Sequence, residues 1–179
     1  MAAPLTNLVD EEKFWPMLQA LAECLCKSLA EANGPDLCYC GLWLGDTDPP
    51  LGVGCSGGSQ CGIAWVRPIE VFPSVAFPDP LDAASRPNCS SPLAMTVDLA
   101  ISRCMPGPKE SRQQMPDPQD VYDALRLQMS DMRALRRAVQ CCFGAKVPER
   151  RDWQYTLGPW APIPTGARVT GGRLLLTIG

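Results

Sequence analysis

The chain has no histidine in 179 residues. That zero removes Ser-His-Asp and Cys-His catalysis together with every histidine-containing metal site. Positive charge is also short: 16 Lys and Arg stand against 19 Asp and Glu, a formal net charge of -3. A nucleic-acid-binding module would carry a basic excess on one face. No apolar run approaches the roughly 20 residues that span a bilayer. Residues 1–15, MAAPLTNLVDEEKFW, lack the basic start and apolar core of a secretory signal, so cytoplasmic synthesis is expected. Phosphate loops are missing too. Gly52, Gly54, Gly57 and Gly58 stand in LGVGCSGGSQCG, without the lysine of GxxxxGK[ST], the GxGxxG spacing or a helix to follow. They read as a flexible loop. Asp46, Asp48, Asp79 and Asp82 read as solvated loop carboxylates. No catalytic residue, cofactor site or metal site is expected.

What the chain has in excess is cysteine and proline. The ten cysteines are Cys24, Cys26, Cys38, Cys40, Cys55, Cys61, Cys89, Cys104, Cys141 and Cys142. A disulfide framework suits short secreted domains better than a longer chain without a signal. Zinc wants paired C-x2-4-C knuckles, whereas these cysteines pair as C-x-C, as adjacent residues, or with five residues between them. The expected reading for most of them is therefore a small buried filler. Cys55 with Cys61 is the most plausible disulfide, closing after release from a reducing cell. Asn88-Cys89-Ser90 matches a glycosylation sequon, which without a secretory signal has no consequence. The 19 prolines exceed twice average usage. They place long loops at about 45–62, 73–92 and 106–116 within one domain, 1–179.

Between the loops the periodicity is clear. Phe14, Leu18, Leu21, Leu25 and Leu29 recur at three and four, an amphipathic helix that Asp10 can cap. Pro16 should kink or restart it. LCYCGLWL at 37–44 reads as a strand of about eight residues. IAWVRPIEVF at 63–72 reads as a second, with Pro68 making it an edge or bulged strand. Leu93, Met95, Val97, Leu99 and Ile101 alternate with Ala94, Thr96, Asp98, Ala100 and Ser102, a strand with one covered face. From Asp117, a good N-cap ahead of Pro118, a long helix runs to Phe143. Its stripe is Val121, Leu125, Met129, Met132, Leu135 and Val139, and Gly144 is placed to close it in the left-handed conformation. Arg133, Arg136 and Arg137 crowd its last turns. Trp15, Trp43, Trp65, Trp153 and Trp160 read as core or interface anchors.

The chain ends on Arg168-Val169-Thr170, Gly171-Gly172, then Arg173-Leu174-Leu175-Leu176-Thr177-Ile178. Two β-compatible runs around Gly-Gly read as a hairpin turning on the glycines. An apolar last strand at a chain end would fray or aggregate unless a sheet covered it. The order of elements gives an α+β fold: a mainly antiparallel sheet, two main helices packed on one face, a C-terminal β-hairpin and long Pro-rich loops.

The layout, with the N-terminal LVDEEKFWPMLQALAECL and the closing GPW…GARVTGGRLLLTIG, resembles the neck and tail-assembly proteins of long-tailed, siphovirus-type phages of actinobacteria, above all their tail terminators. The resemblance implies a non-enzymatic virion protein without cofactors: a homohexameric ring that caps the tail tube and presents a surface to the head-side connector or stopper. Its implied partners are copies of itself, the tail tube protein and that connector. DNA would pass through the lumen without specific binding, and no membrane is involved. The slight acidity agrees, because a ring around moving DNA should repel its phosphates. The candidate assembly residues are Arg133, Arg136 and Arg137 on the long helix and Leu174, Leu176 and Ile178 on the last strand. Two other classes compete. Another neck component, such as a head-tail connector, stopper or tail-completion protein, is the nearer one, although an adaptor should be mostly helical. A cysteine-dependent enzyme is the remoter one, and it would need a thiolate activated by a helix N-terminus or a nearby Arg or Lys.

Overall fold

The structure is a computed structural model that describes residues 9–32, 34–49, 62–82, 91–104, 117–146, 153–163 and 169–179. Helix α1 (Val9–Glu31) carries Phe14, Leu18, Leu21, Leu25 and Leu29 into the core, as their spacing requires. It runs unbroken through Pro16, where a kink is expected. The proline removes one backbone bond, but Phe14, Met17 and Leu18 on either side of it are all buried, and that packing outweighs the loss.

Five strands follow in the spatial order β1-β2-β3-β5-β4. Strand β1 (Tyr39–Leu42) is half the expected length and pairs parallel to β2 (Gly62–Pro73). The remaining pairings, β2 with β3 (Leu93–Cys104), β3 with β5 (Val169–Ile178) and β5 with β4 (Tyr155–Pro162), are antiparallel. The sheet is thus the mainly antiparallel one of an α+β fold. Pro68 is accommodated as its chemistry demands. The register shifts between Pro68 and Glu70, and β1 pairs with β2 only over Ile63 to Val66, so no ladder donor is missed.

The C-terminal hairpin exists, but it is made by β4 and β5 and does not turn at Gly171-Gly172. Both glycines lie inside β5, paired to Ser102 and Ile101 of β3. They are there for room. A Cβ on Gly172 would lie 1.9 Å from the Trp160 ring, and one on Gly171 would lie 2.1 Å from the Ile101 carbonyl oxygen. A glycine pair in a strand can mean close approach as readily as a turn.

Helix α2 (Pro118–Arg137) starts at Asp117, whose carboxylate accepts from the Gln119 amide at 2.9 Å. It continues into a π-helical stretch, Ala138–Phe143, and a last turn, Gly144–Lys146. Gly144 is right-handed (φ -57°) and does not end the helix; its missing side chain makes way for the Tyr155 hydroxyl, 2.7 Å from where a Cβ would stand. Phe143 stacks on Trp153 and meets Tyr155 edge-on, both at 5.7 Å between ring centroids.

Both helices cover the sheet face that carries Ala64, Val66, Met95, Val97, Leu99, Ile101, Leu174, Leu176 and Ile178. A buried ion pair fixes α2 to this body. Arg103 on β3 donates from Nε and Nη2 to the two carboxylate oxygens of Asp131 at 2.7 and 2.9 Å, and from Nη1 to the Pro35 carbonyl at 3.0 Å. Asp131→Ala leaves a buried guanidinium with one acceptor and is expected to cost about 3 kcal/mol, read from urea unfolding curves.

The cysteines depart most from the sequence reading. Cys24 is bonded to Cys142 and Cys26 to Cys40, and Cys38 and Cys104 are disulfide-bonded as well. The filler reading fails for these six. Cross-links between residues 118 apart in sequence, as Cys24 and Cys142 are, carry no local spacing signal. The expected Cys55–Cys61 pair lies outside the described residues, as do Cys89 and the glycine-rich patch.

Candidate assembly surface

The residues nominated for assembly separate into two environments. Leu174, Leu176 and Ile178 are 1%, 0% and 0% exposed and belong to the main core. Their strand lies between β3 and β4, so these side chains hold the chain itself together. Arg133, Arg136 and Arg137 are on the surface of α2. Arg137 pairs with Glu31 of α1 at 2.9 Å, a solvent-exposed bridge of small energetic weight.

The surface that sequence reading misses is the N-terminal half of α2. The apolar stripe read as continuous divides in two. Leu135 and Val139 are buried, whereas Val121, Leu125 and Met129 are 37%, 55% and 54% exposed, and Tyr122 beside them is 58% exposed. Residues 118–130 include no buried side chain.

Geometry explains the division. Gln128 donates to the Gly171 carbonyl at 3.0 Å, at the sheet end where Ser102 pairs with Gly171. Phe143 contacts Tyr155, which pairs with Ile178 at the other end. From Gln128 to Phe143 the helix rises about 22 Å, at 1.5 Å per residue. From Gly171 to Ile178 the strand covers about 23 Å, at some 3.3 Å per residue. The sheet runs two residues further, to the Cys104–Val169 pair, about 7 Å at the same spacing, so only the first five residues or so of α2, about 8 Å, project past its end. Leu125 and Met129 stand beside the sheet on the outer side of the helix: at 100° per residue the buried Asp131 and Ala134 lie about 140–160° around the axis from Met129.

The opposite sheet face has its own chemistry. Ile63, Trp65 and Ala100 form a small second core there with Ile163 and the half-buried Cys38 and Trp43. Beside it Arg67 donates to Asp98 at 2.8 Å and to Asp48 at 2.9 Å, and Arg173 donates to Asp48 at 2.8 Å. The Trp65 indole donates to the same Asp98 oxygen at 3.3 Å. Asp48 therefore clamps the segment after β1 onto β2 and β5. Burial pushes the Asp98 carboxyl above the usual carboxylate range, against the pull of Arg173 and Arg67. Asp48, read from the sequence as a solvated loop carboxylate, is instead part of this network.

Among the described residues one cysteine, Cys141, is a free and exposed thiol. It lines a cleft of about 160 Å³ with Lys27, Ser28, Glu31, Arg137 and Cys142. It sits near the C-terminal end of the long helix, the opposite end from the N-terminus that activates nucleophilic cysteines. No three Cys, Asp or Glu side chains among the described residues converge to hold a metal ion, and no described helix is long and apolar enough to cross a membrane. Neither a protein-family model nor a curated protein sequence matches the chain.

Proposed function

We propose that the chain is a structural subunit of a phage neck, a tail terminator that closes into a ring on the tail tube and receives the head-side connector. One observation supports an assembling protein above all: the outer side of the N-terminal half of α2, which leaves Val121, Tyr122, Leu125 and Met129 in solvent. Contiguous large apolar side chains on one exposed helix face are a contact surface awaiting a partner. The sheet edges point the same way. β1 is only four residues long, and β4 carries Pro159 and a register shift between Leu157 and Trp160. Such edges resist strand addition, so association by side-chain surfaces is favoured. The resemblance of the two chain ends to tail terminators supplies the ring and its place in the particle.

Disulfides persist where the surroundings are oxidising. On this reading they close after the particle leaves the reducing host cytoplasm and harden a ring that is already in place. The test is the stoichiometry of the protein in particles and in concentrated solution, by native mass spectrometry and negative-stain imaging. A closed ring, six-fold by the resemblance, is the expected result. A chain that is monomeric at high concentration and also absent from, or monomeric in, the neck of purified particles overturns the reading.

A further inference from the structure

The projecting helix has a counterpart at the far end of the same chain. From the Pro68–Glu70 irregularity onward, the last part of β2 and the turn after it expose Ile69, Val71 and Val75 to 49%, 50% and 66%. Glu70 and Asp79 are exposed in the same segment, Glu70 on the face of β2 opposite to Val71. This region lies at the sheet end where Val71 pairs with Met95 and Met95 with Ile178, and Phe77 of the turn packs against Gly179. The helix projects from the other end, where Gly62 pairs with Arg103. From Met95 to Arg103 the length of β3 between them is about 26 Å, at some 3.3 Å per residue.

The two surfaces are alike in being apolar and opposite in charge. At 100° per residue, Arg126, Arg133 and Arg136 lie within 60° of Met129 around the α2 axis, whereas Asp120 and Asp123 lie 120° or more away. Around Leu125 and Met129 the exposed apolar face is therefore flanked by cations, with Asp120 and Asp123 turned away from it. The β2 end presents apolar side chains with carboxylates.

We infer that α2 of one copy docks on the β2 end of a second copy, with Leu125 and Met129 seated against Ile69, Val71 and Val75 and the arginines facing Glu70 and Asp79. The inference rests on the reading of the chain as a ring subunit and names the contact that would build the ring. Unlike surfaces at opposite ends of one chain form a head-to-tail contact. Such contacts repeat until the rotation closes a ring, whereas a two-fold contact would stop at a dimer.

The test uses two double variants, Leu125→Glu/Met129→Glu on the helix and Ile69→Arg/Val75→Arg on the sheet end. All four side chains are substantially exposed, so both proteins should fold, which circular dichroism checks. Each variant alone should be monomeric by native mass spectrometry. An equimolar mixture should give a one-to-one pair and nothing larger, because it offers one intact helix surface to one intact sheet end. In parallel, a photo-crosslinking residue at position 125 in the otherwise wild-type chain should link at high concentration to residues 69–79 of a second copy.

The inference is overturned if the mixture stays monomeric, if either variant assembles like the wild type, or if the crosslinks fall elsewhere or only within one chain. A closed ring that persists in both variants removes this contact and leaves the ring reading standing. Crosslinks at 69–79 in an open filament remove the ring and leave the contact.

Discussion

A chain ending at Arg173 is expected not to fold. Loss of residues 174–179 removes half of β5, which lies between β3 and β4 and is the only described strand that β4 pairs with. Leu174, Leu176 and Ile178 are all but fully buried, and burial of each contributes roughly 1.5–3 kcal/mol. The sum, about 5–9 kcal/mol on that scale, matches or exceeds much of the 5–15 kcal/mol by which domains of this kind are stable. Further ties go with it. Gln154 and Gly179 exchange two backbone hydrogen bonds, N to O at 2.8 and 3.1 Å, and Phe77 packs on Gly179. The expected result is a truncated protein without a cooperative thermal transition, recovered from aggregates. A soluble product that melts near the wild-type temperature would show the strand to be dispensable.

The parts of the fold legible in the sequence are those written in local periodicity. The α1 stripe, the alternation along β3 and the Asp117 cap each need only a dozen consecutive residues, and each is where the pattern puts it. Features decided across the chain were not legible. Gly171-Gly172 satisfies a turn rule and a close-packing rule equally, and Trp160 from the neighbouring strand settles the matter. The α2 stripe has one period from Val121 to Val139, yet it starts beyond the last strand pair and its Leu125 and Met129 turn to the outer side of the helix, so one periodicity gives core at Leu135 and Val139 and surface at the other end. A sequence pattern shows that a face is apolar; it does not show how far the partner extends.

The same limit hid the charge cluster. Asp98 falls on the polar phase of β3, which reads as solvent-facing, but the segment carrying Asp48 folds over that face and buries it. Alternation distinguishes two faces of a strand and cannot say that both are covered. Arg103 and Asp131 were equally silent. Each is one charged residue in an ordinary element, and only the fold sets the guanidinium against the carboxylate.

Reduction of the Cys24–Cys142 bond is the second large effect expected. The bond joins the middle of α1 to the π-helical stretch after α2, across 118 residues of sequence. In the chain-entropy account, closing about 100 residues restricts the unfolded chain by close to 5 kcal/mol, and closing about 15 by some 3 kcal/mol. Cys142→Ser should therefore cost more than Cys26→Ser, whose bond to Cys40 spans only 14 residues. For a chain of this length each kcal/mol moves the melting temperature by about 2–4 °C, so the Cys142 variant should melt some 10–20 °C below the oxidised wild type. The native contacts survive the change, since Cys24 stays in the core beside Leu21 and Leu25 and Cys142 is only half-buried. The reduced protein should thus keep its secondary structure at 25 °C while losing heat resistance. Parallel melts with and without reductant, on the wild type and both serine variants, check the size and the ranking. Equal melting temperatures in all six samples would mean that the cross-links add nothing to stability, and that oxidation after release cannot harden the proposed ring.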